Sequence, residues 1–373
     1  MKEKTVFDFD SNLKNEQREE RALKWLNVKD GCFGLFGSDA LEEDGFCRLT
    51  RKERDYIRPV NDGEAWLAEQ SAGIQIRFET DSTQLFLKGR NRAPFDMTNM
   101  TQIGECGADL YVYDEEMSAY VLHEVVRIYP INSTTYELSL GHFADKPRKP
   151  RKPRKYIVYL ALYMAVEELY VGVDETASVI PSGFGRTEKI GVYGTSIVQG
   201  CCASRPGMAP TNYLSRKLDM QVYNFGFSGT AMMEKEMGEV LGDREIDVLI
   251  ADAEPNAGID GRMKENAEGF LNAFLAKKPD VPVVLFSRVL FAMDRYDEYR
   301  IKLRKYYKNY LCGLAEKYRK KGYKVYFADG SKIFKGNYTE YTADGIHPSD
   351  MGMVAIAEAY EREVKKALKR IKI

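Results

Sequence analysis

"IPSGFGRTEKIGVYGTSIVQG", residues 180–200, is where the chain changes rhythm. Its glycine-punctuated first half closes a region of short strands. From Lys189 a buried-strand run, "KIGVYG", leads into Thr195 and Ser196. Downstream, apolar runs alternate with amphipathic stretches: "APTNYLSRKL", "QVYNFGF", "EKEMGEVL", "IDVLIADA", "KENAEGFLNAFLAK" and "PVVLFSRV" in turn. A long helical stretch from Tyr296 to Lys321, "KVYFADG" and a final helix through "GMVAIAEAYEREVKKAL" complete the series. This alternation predicts an α/β domain with a parallel sheet covered on both faces. Ligands in such sheets bind beyond the carboxyl ends of the strands.

Upstream of the change the pattern is different. "GIQIRFET", "QLFLKG", "DLYVYD", "YVLHEVVRIYP", "TYELSLG", "YIVYLALY" and "EELYVGV" have strand composition and close turn punctuation. Ile74, Ile76 and Phe78 alternate with Gln75, Arg77 and Glu79, as in an antiparallel strand with one wet side. The reading is a β-sandwich of jelly-roll type. With 373 residues, the chain divides into two domains, 1–184 and 185–373. The triplet repeat "PRKPRKPRK", Pro147 to Lys155, favours extended backbone and is read as a solvated hairpin tip.

Composition narrows the function. Basic and acidic residues nearly cancel, 55 against 56, so no global field draws the chain to nucleic acid or an anionic membrane. No run approaches the roughly 20 apolar residues of a membrane span, and the N-terminal stretch has no signal-peptide core. A cytoplasmic location is expected, with a removed leader left open. The six cysteines, Cys32, Cys47, Cys106, Cys201, Cys202 and Cys312, are too sparse for a disulfide scaffold and are expected as free thiols.

Several polar groups fall at the carboxyl ends of the predicted strands. Ser196 follows the first, "NFGFSG" ends the second and "DAEPN" ends the third, while "DGIHPSD" precedes the last helix. Of three histidines, His123 and His142 lie in the sandwich half without a suitably placed acid. His347 has Asp344 three residues before it, close enough to hold Nδ1–H and leave Nε2 as a base. A serine hydroxyl needs such a base to attack a carbonyl. "GTS" alone is equally good turn and cap chemistry. Ser228 in "GFSGT" lacks the second glycine of a nucleophile elbow, Thr230 standing there, and is read as structural. No P-loop, HExxH, EF-hand or paired CxxC is present, so neither a metal nor a cofactor is expected.

Taken in order, "YGTSIVQG", "NFGFSGTA", "DAEPNAG" and "DGIHP" resemble the four blocks of the SGNH hydrolases, the GDSL esterase/lipase family. The resemblance implies a three-layer α/β/α, flavodoxin-like domain. It also implies that Ser196 attacks the acyl carbonyl, His347 relays the proton and Asp344 holds the imidazole. The oxyanion would meet the N–H groups of Ser196 and Gly229 and the side-chain amide of Asn256. Two positions depart from the pattern: Thr195 replaces an aspartate, and "EPNA" replaces Gly-x-Asn-Asp. "GTSIVQGCCASRPGMA", "AWLAEQSAGIQIRFETDS" and "GADLYVY" are similar to a bacterial subgroup in which a β-sandwich precedes the hydrolase domain.

That subgroup implies a serine esterase removing acetyl or another short acyl group from an oligosaccharide. A thioesterase, lysophospholipase or acyltransferase would use the same groups. A binding protein on a decayed hydrolase scaffold is the non-enzymatic alternative. Trp25 and Trp66 are either core or sugar-facing; Arg205 and Pro206 either line the mouth of the cleft or form a loop-to-helix junction. No nucleic acid or membrane partner is expected, and the oligomeric state is open.

Overall fold

The computed structural model describes residues 22–41, 44–142, 152–258 and 261–371. In chain order, the first part holds β1 (Leu23–Asn27), β2 (Gly34–Phe36), α1 (Arg51–Ile57), α2 (Asp62–Leu67), β3 (Gln75–Thr80) and β4 (Gln84–Asn91). There follow α3 (Gln102–Cys106), β5 (Asp109–Asp114), β6 (Ala119–Val125), β7 (Thr135–His142), β8 (Arg154–Tyr159), β9 (Val166–Asp174) and β10 (Val179–Pro181). Two antiparallel sheets result, β1-β9-β4-β7 and β10-β3-β8-β5-β6, with β2 also on β3. Alternate residues of both, among them Ile76, Phe78, Leu85, Leu87, Tyr156, Val158, Val171 and Val173, fill the space between.

Two expectations are corrected here. The other face of β3 is not wet: Gln75 and Arg77 are buried under the second half of the chain. Gln75 donates to Ser215 Oγ at 3.1 Å, and Arg77 pairs with Asp219 at 2.9 Å while lying over the Phe184 ring. Polar residues at period two therefore marked an interface. The PRK repeat lies largely outside the described residues. The strands on either side of it, β7 and β8, belong to different sheets, so they do not make the hairpin expected there.

The second part holds β11 (Lys189–Gly194), α4 (Ser196–Gln199), α5 (Pro210–Leu218), β12 (Gln221–Gly226), α6 (Lys235–Gly242) and β13 (Val248–Asp252). It ends with α7 (Arg262–Lys277), β14 (Val283–Phe286), α8 (Glu298–Lys320), β15 (Val325–Ala328) and α9 (Asp350–Ile371). All five strands are parallel, in the order β12-β11-β13-β14-β15. Period-two alternation sends Ile190, Val192, Val248 and Ile250 to a core shared with α5 and α9. Tyr193, Leu249 and Ala251 face the opposite core, under α6, α7 and α8. This is the flavodoxin-like arrangement, and its strand order reverses at β11, where a crevice opens at the carboxyl ends.

The two halves share buried polar groups. Arg48 is 1% exposed and donates to the carbonyls of Gln70 (3.0 Å), Asn224 (3.2 Å), Leu67 (2.6 Å) and Gly226, with its guanidinium over Phe227. Four acceptors offset the cost of burying that charge. Leu49, Ile57 and Leu67, from α1, α2 and the residues before them, join the core under α6. The Asp109 carboxylate, wholly buried, accepts from Arg205 at 3.1 Å and from the Gly207 N–H at 2.7 Å. Arg205, also bonded to the Tyr111 hydroxyl, is thus a clamp at a loop-to-helix junction. No helix among the described residues is long and apolar enough to cross a membrane.

Candidate active site

Ser196 begins α4 directly after β11 and is 7% exposed. Thr195 caps the turn, its hydroxyl accepting from the Ile197 N–H. The turn packs tightly on β12. A Cβ at Gly226 would stand 2.1 Å from the Gln199 backbone nitrogen, so only glycine fits there. Gln199 joins three segments: it donates to Gln70 (2.5 Å) and the Leu162 carbonyl (3.1 Å) and accepts from the Ser228 N–H (3.1 Å).

His347 and Asp344 come from the loop before α9, closed by a bridge between Thr342 and Pro348 and a 2.8 Å bond from Ala343 N–H to the His347 carbonyl. His347 Nε2 lies 3.0 Å from Ser196 Oγ, and Nδ1 lies 2.7 Å from Asp344 Oδ2. The Asp344 carboxylate also accepts from the N–H groups of Ile346 (3.0 Å) and His347 (2.8 Å) and from Asn99 Nδ2 (3.0 Å). Partial burial pushes its acidity down, but Asn99, His347 and these N–H groups outweigh that and hold it well below the ordinary carboxylate range. For His347, burial opposes the imidazolium. Cys201 and Asp344 overcome it and push the ring up to about 9.

Gly229 lies at φ +71°, with open space where a side chain would stand. The left-handed conformation costs glycine nothing and turns the backbone between Ser228 and Thr230. Asn256 sits on a short 3-10 turn after β13. The amide orientation that satisfies both of its ends has Oδ1 accepting from the N–H groups of Thr230 and Ala231, each at 3.2 Å, and its NH2 toward acceptor groups. The residues expected at the site thus sit at the ends of β11, β12 and β13 and on the loop before α9. His123 and His142 belong to the sandwich strands β6 and β7.

A cavity of about 480 Å³ opens beside Ser228 and Thr230. Its far wall is sandwich-half structure: Trp66, Gln70, Arg92, Met97 and Tyr163 among others. Trp66 is 58% exposed on the rim, whereas Trp25 is half-buried edge-on against Phe86. Volume and composition match a small-molecule site. A larger hollow of about 760 Å³ runs along β15 between α8 and α9; none of Ser196, Gly229, Asn256, Asp344 and His347 lines either space, but Ser228 and Thr230, which flank Gly229, line the first.

Some participants escaped the sequence reading. Asn99 lies in "APFDMTNM", whose composition says loop and nothing more. That loop is fixed by Glu105, whose carboxylate accepts from the N–H groups of Asp96 (3.1 Å) and Met97 (3.0 Å). Tyr163, in the connection between β8 and β9, donates its hydroxyl to the Ser196 carbonyl at 3.4 Å.

Residues 187–365 match the GDSL-like lipase/acylhydrolase family, and residues 23–179 match a family described as the N-terminus of SGNH-hydrolase-type esterases. The second family's GxDLY signature reads here Gly107-Ala108-Asp109-Leu110-Tyr111, so the clamp acid is part of it. No curated protein sequence matches the chain. Among solved structures, a protein described as a GDSL-like lipase from Bacteroides ovatus is 26% identical, with TM-score 0.82 over 93% of this chain and 98% of that one. The salicylyl-acyltransferase SsfX3 of a tetracycline biosynthetic pathway is 18% identical, with TM-score 0.76 over the same shares. A family two carbohydrate esterase from Cellvibrio japonicus shares the fold at 12% identity and TM-score 0.60, again over 93% and 98%. With both halves matched in order, the chain belongs to the GDSL-like lipase/acylhydrolase (SGNH) family of carboxylic ester hydrolases, in the form that carries an N-terminal sandwich domain.

Proposed function

We propose that this esterase removes short acyl groups, acetyl first among them, from an oligosaccharide through an acyl-enzyme on Ser196. The observation that carries the chemistry is the relay Ser196 Oγ to His347 Nε2 to Asp344, at 3.0 and 2.7 Å. In its neutral form, with the Nδ1 proton on Asp344, His347 takes the Ser196 proton as Oγ attacks the ester carbon, so the step speeds up as pH rises toward the ring's raised value of about 9. It then delivers that proton to the departing sugar oxygen. Water repeats the sequence in reverse and frees the acid. Ser196 N–H, Gly229 N–H and the Asn256 amide are the proposed oxyanion donors.

The carbohydrate part of the proposal is supported by the cavity beside Ser228 and Thr230. Its exposed indole offers a flat apolar face, and Arg92 and Gln70 offer polar partners, the mixture a sugar ring presents in reverse. The fold shared with carbohydrate esterases agrees with it. The domain boundary is proposed at 184/185, within the segment between β10 and β11.

Hydrolysis of p-nitrophenyl acetate, butyrate and octanoate by wild type and Ser196→Ala, with acetate release from acetylated xylo-oligosaccharides, tests the proposal. Short-chain and sugar activity lost together in the variant is expected. Activity on model esters alone would overturn the carbohydrate part, and equal rates in both proteins would overturn the role of Ser196.

A further inference from the structure

Cys201 and Cys202 stand 146 and 145 residues before His347 in the sequence, yet the fold sets them beside it. One ligating atom from each of the three residues lies within 4.8 Å of the others, and this is the one such His/Cys/Asp/Glu cluster among the described residues. Adjacent cysteines without a CxxC spacing match no metal motif, so no local pattern announces the cluster.

The backbone arranges the thiols. After α4 the chain turns through Gly200 at φ +114° and Cys202 at φ +70°. A non-glycine residue in this region is strained and persists only where its surroundings hold it. Here the Cys202 thiol donates to the Asn99 carbonyl at 3.0 Å. The result is a Sγ to Sγ distance of 3.8 Å. Two sulfurs bound tetrahedrally to one zinc at about 2.3 Å each would be about 3.8 Å apart, and a sulfur and an imidazole nitrogen about 3.5 Å apart. The thiol pair already has the spacing, and His347 needs only a small approach.

We propose that Cys201 Sγ, Cys202 Sγ and a ring nitrogen of His347 form a site for a soft divalent cation, of the Zn²⁺ and Cd²⁺ class, that switches the esterase off. Two thiolates and an imidazole select soft and borderline metals over Mg²⁺ or Ca²⁺. Binding releases two protons to solvent, one from Cys202 and one shared by the Cys201–His347 pair, and leaves the metal centre with three protein ligands and an open position for water or Ser196 Oγ. No electron is transferred. An imidazole engaged by the metal is not free to relay the Ser196 proton. Inhibition, though not binding, therefore rests on the role proposed for His347.

The test is a Cd²⁺ titration of the full chain carrying Cys312→Ser, which removes the exposed thiol, read by the ultraviolet sulfur-to-cadmium charge-transfer band. One equivalent with two-thiolate intensity is expected, and Ser196→Ala must leave it intact even if the esterase reading fails. In parallel, Zn²⁺ should inhibit p-nitrophenyl acetate hydrolysis reversibly with chelator, and Cys202→Ser should need about 10-fold more Zn²⁺ or higher. Absence of the band, or a band unchanged in Cys201→Ser/Cys202→Ser, overturns the site. Should the cysteine variants not fold, His347→Gln must weaken Cd²⁺ binding about 10-fold or more. Unchanged affinity there overturns it equally.

Discussion

Asn99 Nδ2 lies 3.0 Å from Asp344 Oδ2, so a residue of the sandwich half holds the acid that orients His347 in the other half. A hydrogen bond to a charged group is worth roughly 1.5–3 kcal/mol. Asn99→Ala is therefore expected to lower kcat for p-nitrophenyl acetate about 10-fold with KM little changed. An unaltered kcat in a folded variant would show that Asp344 does not depend on it.

Ser196→Ala is expected to lower kcat about 10⁴-fold or more, while Asn256→Ala costs about 10²–10³-fold. The ratio between them separates nucleophile from oxyanion donor. If both variants fell equally, to background, Asn256 would have a larger part than stabilising charge.

Removing the indole at the cavity rim separates binding from chemistry. Trp66→Ala should raise KM for an acetylated oligosaccharide about 3- to 10-fold and leave p-nitrophenyl acetate kinetics within about twofold, because one stacked ring is worth about 0.5–1.5 kcal/mol. Parallel losses on both substrates would count against a sugar-facing role.

The Asp109 clamp should matter for stability more than for turnover. Asp109→Ala leaves Arg205 partly buried without its carboxylate and the Gly207 N–H without an acceptor. A loss of about 3–5 kcal/mol in urea unfolding is expected. A loss below about 1 kcal/mol would mean that water takes over both contacts.

Asp252 gives the pH dependence. It accepts from the Tyr360 hydroxyl at 2.6 Å, and burial, only partly offset by that bond, pushes it up to about 7 from 3.8. The folded chain thus holds a proton that the unfolded chain releases between about pH 4 and 7. Stability contributed by the neutral acid is full below the unfolded value and declines as pH rises through about 7. Asp252→Asn, still able to accept from Tyr360, should unfold like wild type at pH 4 and gain of order 4 kcal/mol at pH 8. Equal gains at both pH values would point to packing instead.

Both layers of the parallel domain were legible because its strands are nearly all apolar and its helices strongly periodic. α5, α6 and α7 fall within two residues of the stretches that predicted them. The four blocks supplied Ser196, Gly229, Asn256, Asp344 and His347 because each sits where a strand ends or a helix begins. Three kinds of feature were not legible. Gln75 and Arg77 carry a surface-like pattern, yet they face another polar surface, and periodicity cannot tell water from a partner domain. The α1 and α2 pair is short, and its place is set by docking under α6. Asn99 and the Cys201–Cys202 turn act through contacts more than 100 residues apart, which no local pattern encodes.

Arg48 also sets a schedule for synthesis. Its acceptors at Asn224 and Gly226 are made 176 and 178 residues later. At about 5–20 residues per second, the guanidinium emerges from the ribosome roughly 10–35 s before the strand end that receives it. During that interval the sandwich half has sheets but an exposed charge where its partner surface belongs. A nascent chain stalled before Gly226 would carry this unfinished seam, and ribosome-bound truncations ending on either side of it should differ sharply in protease resistance.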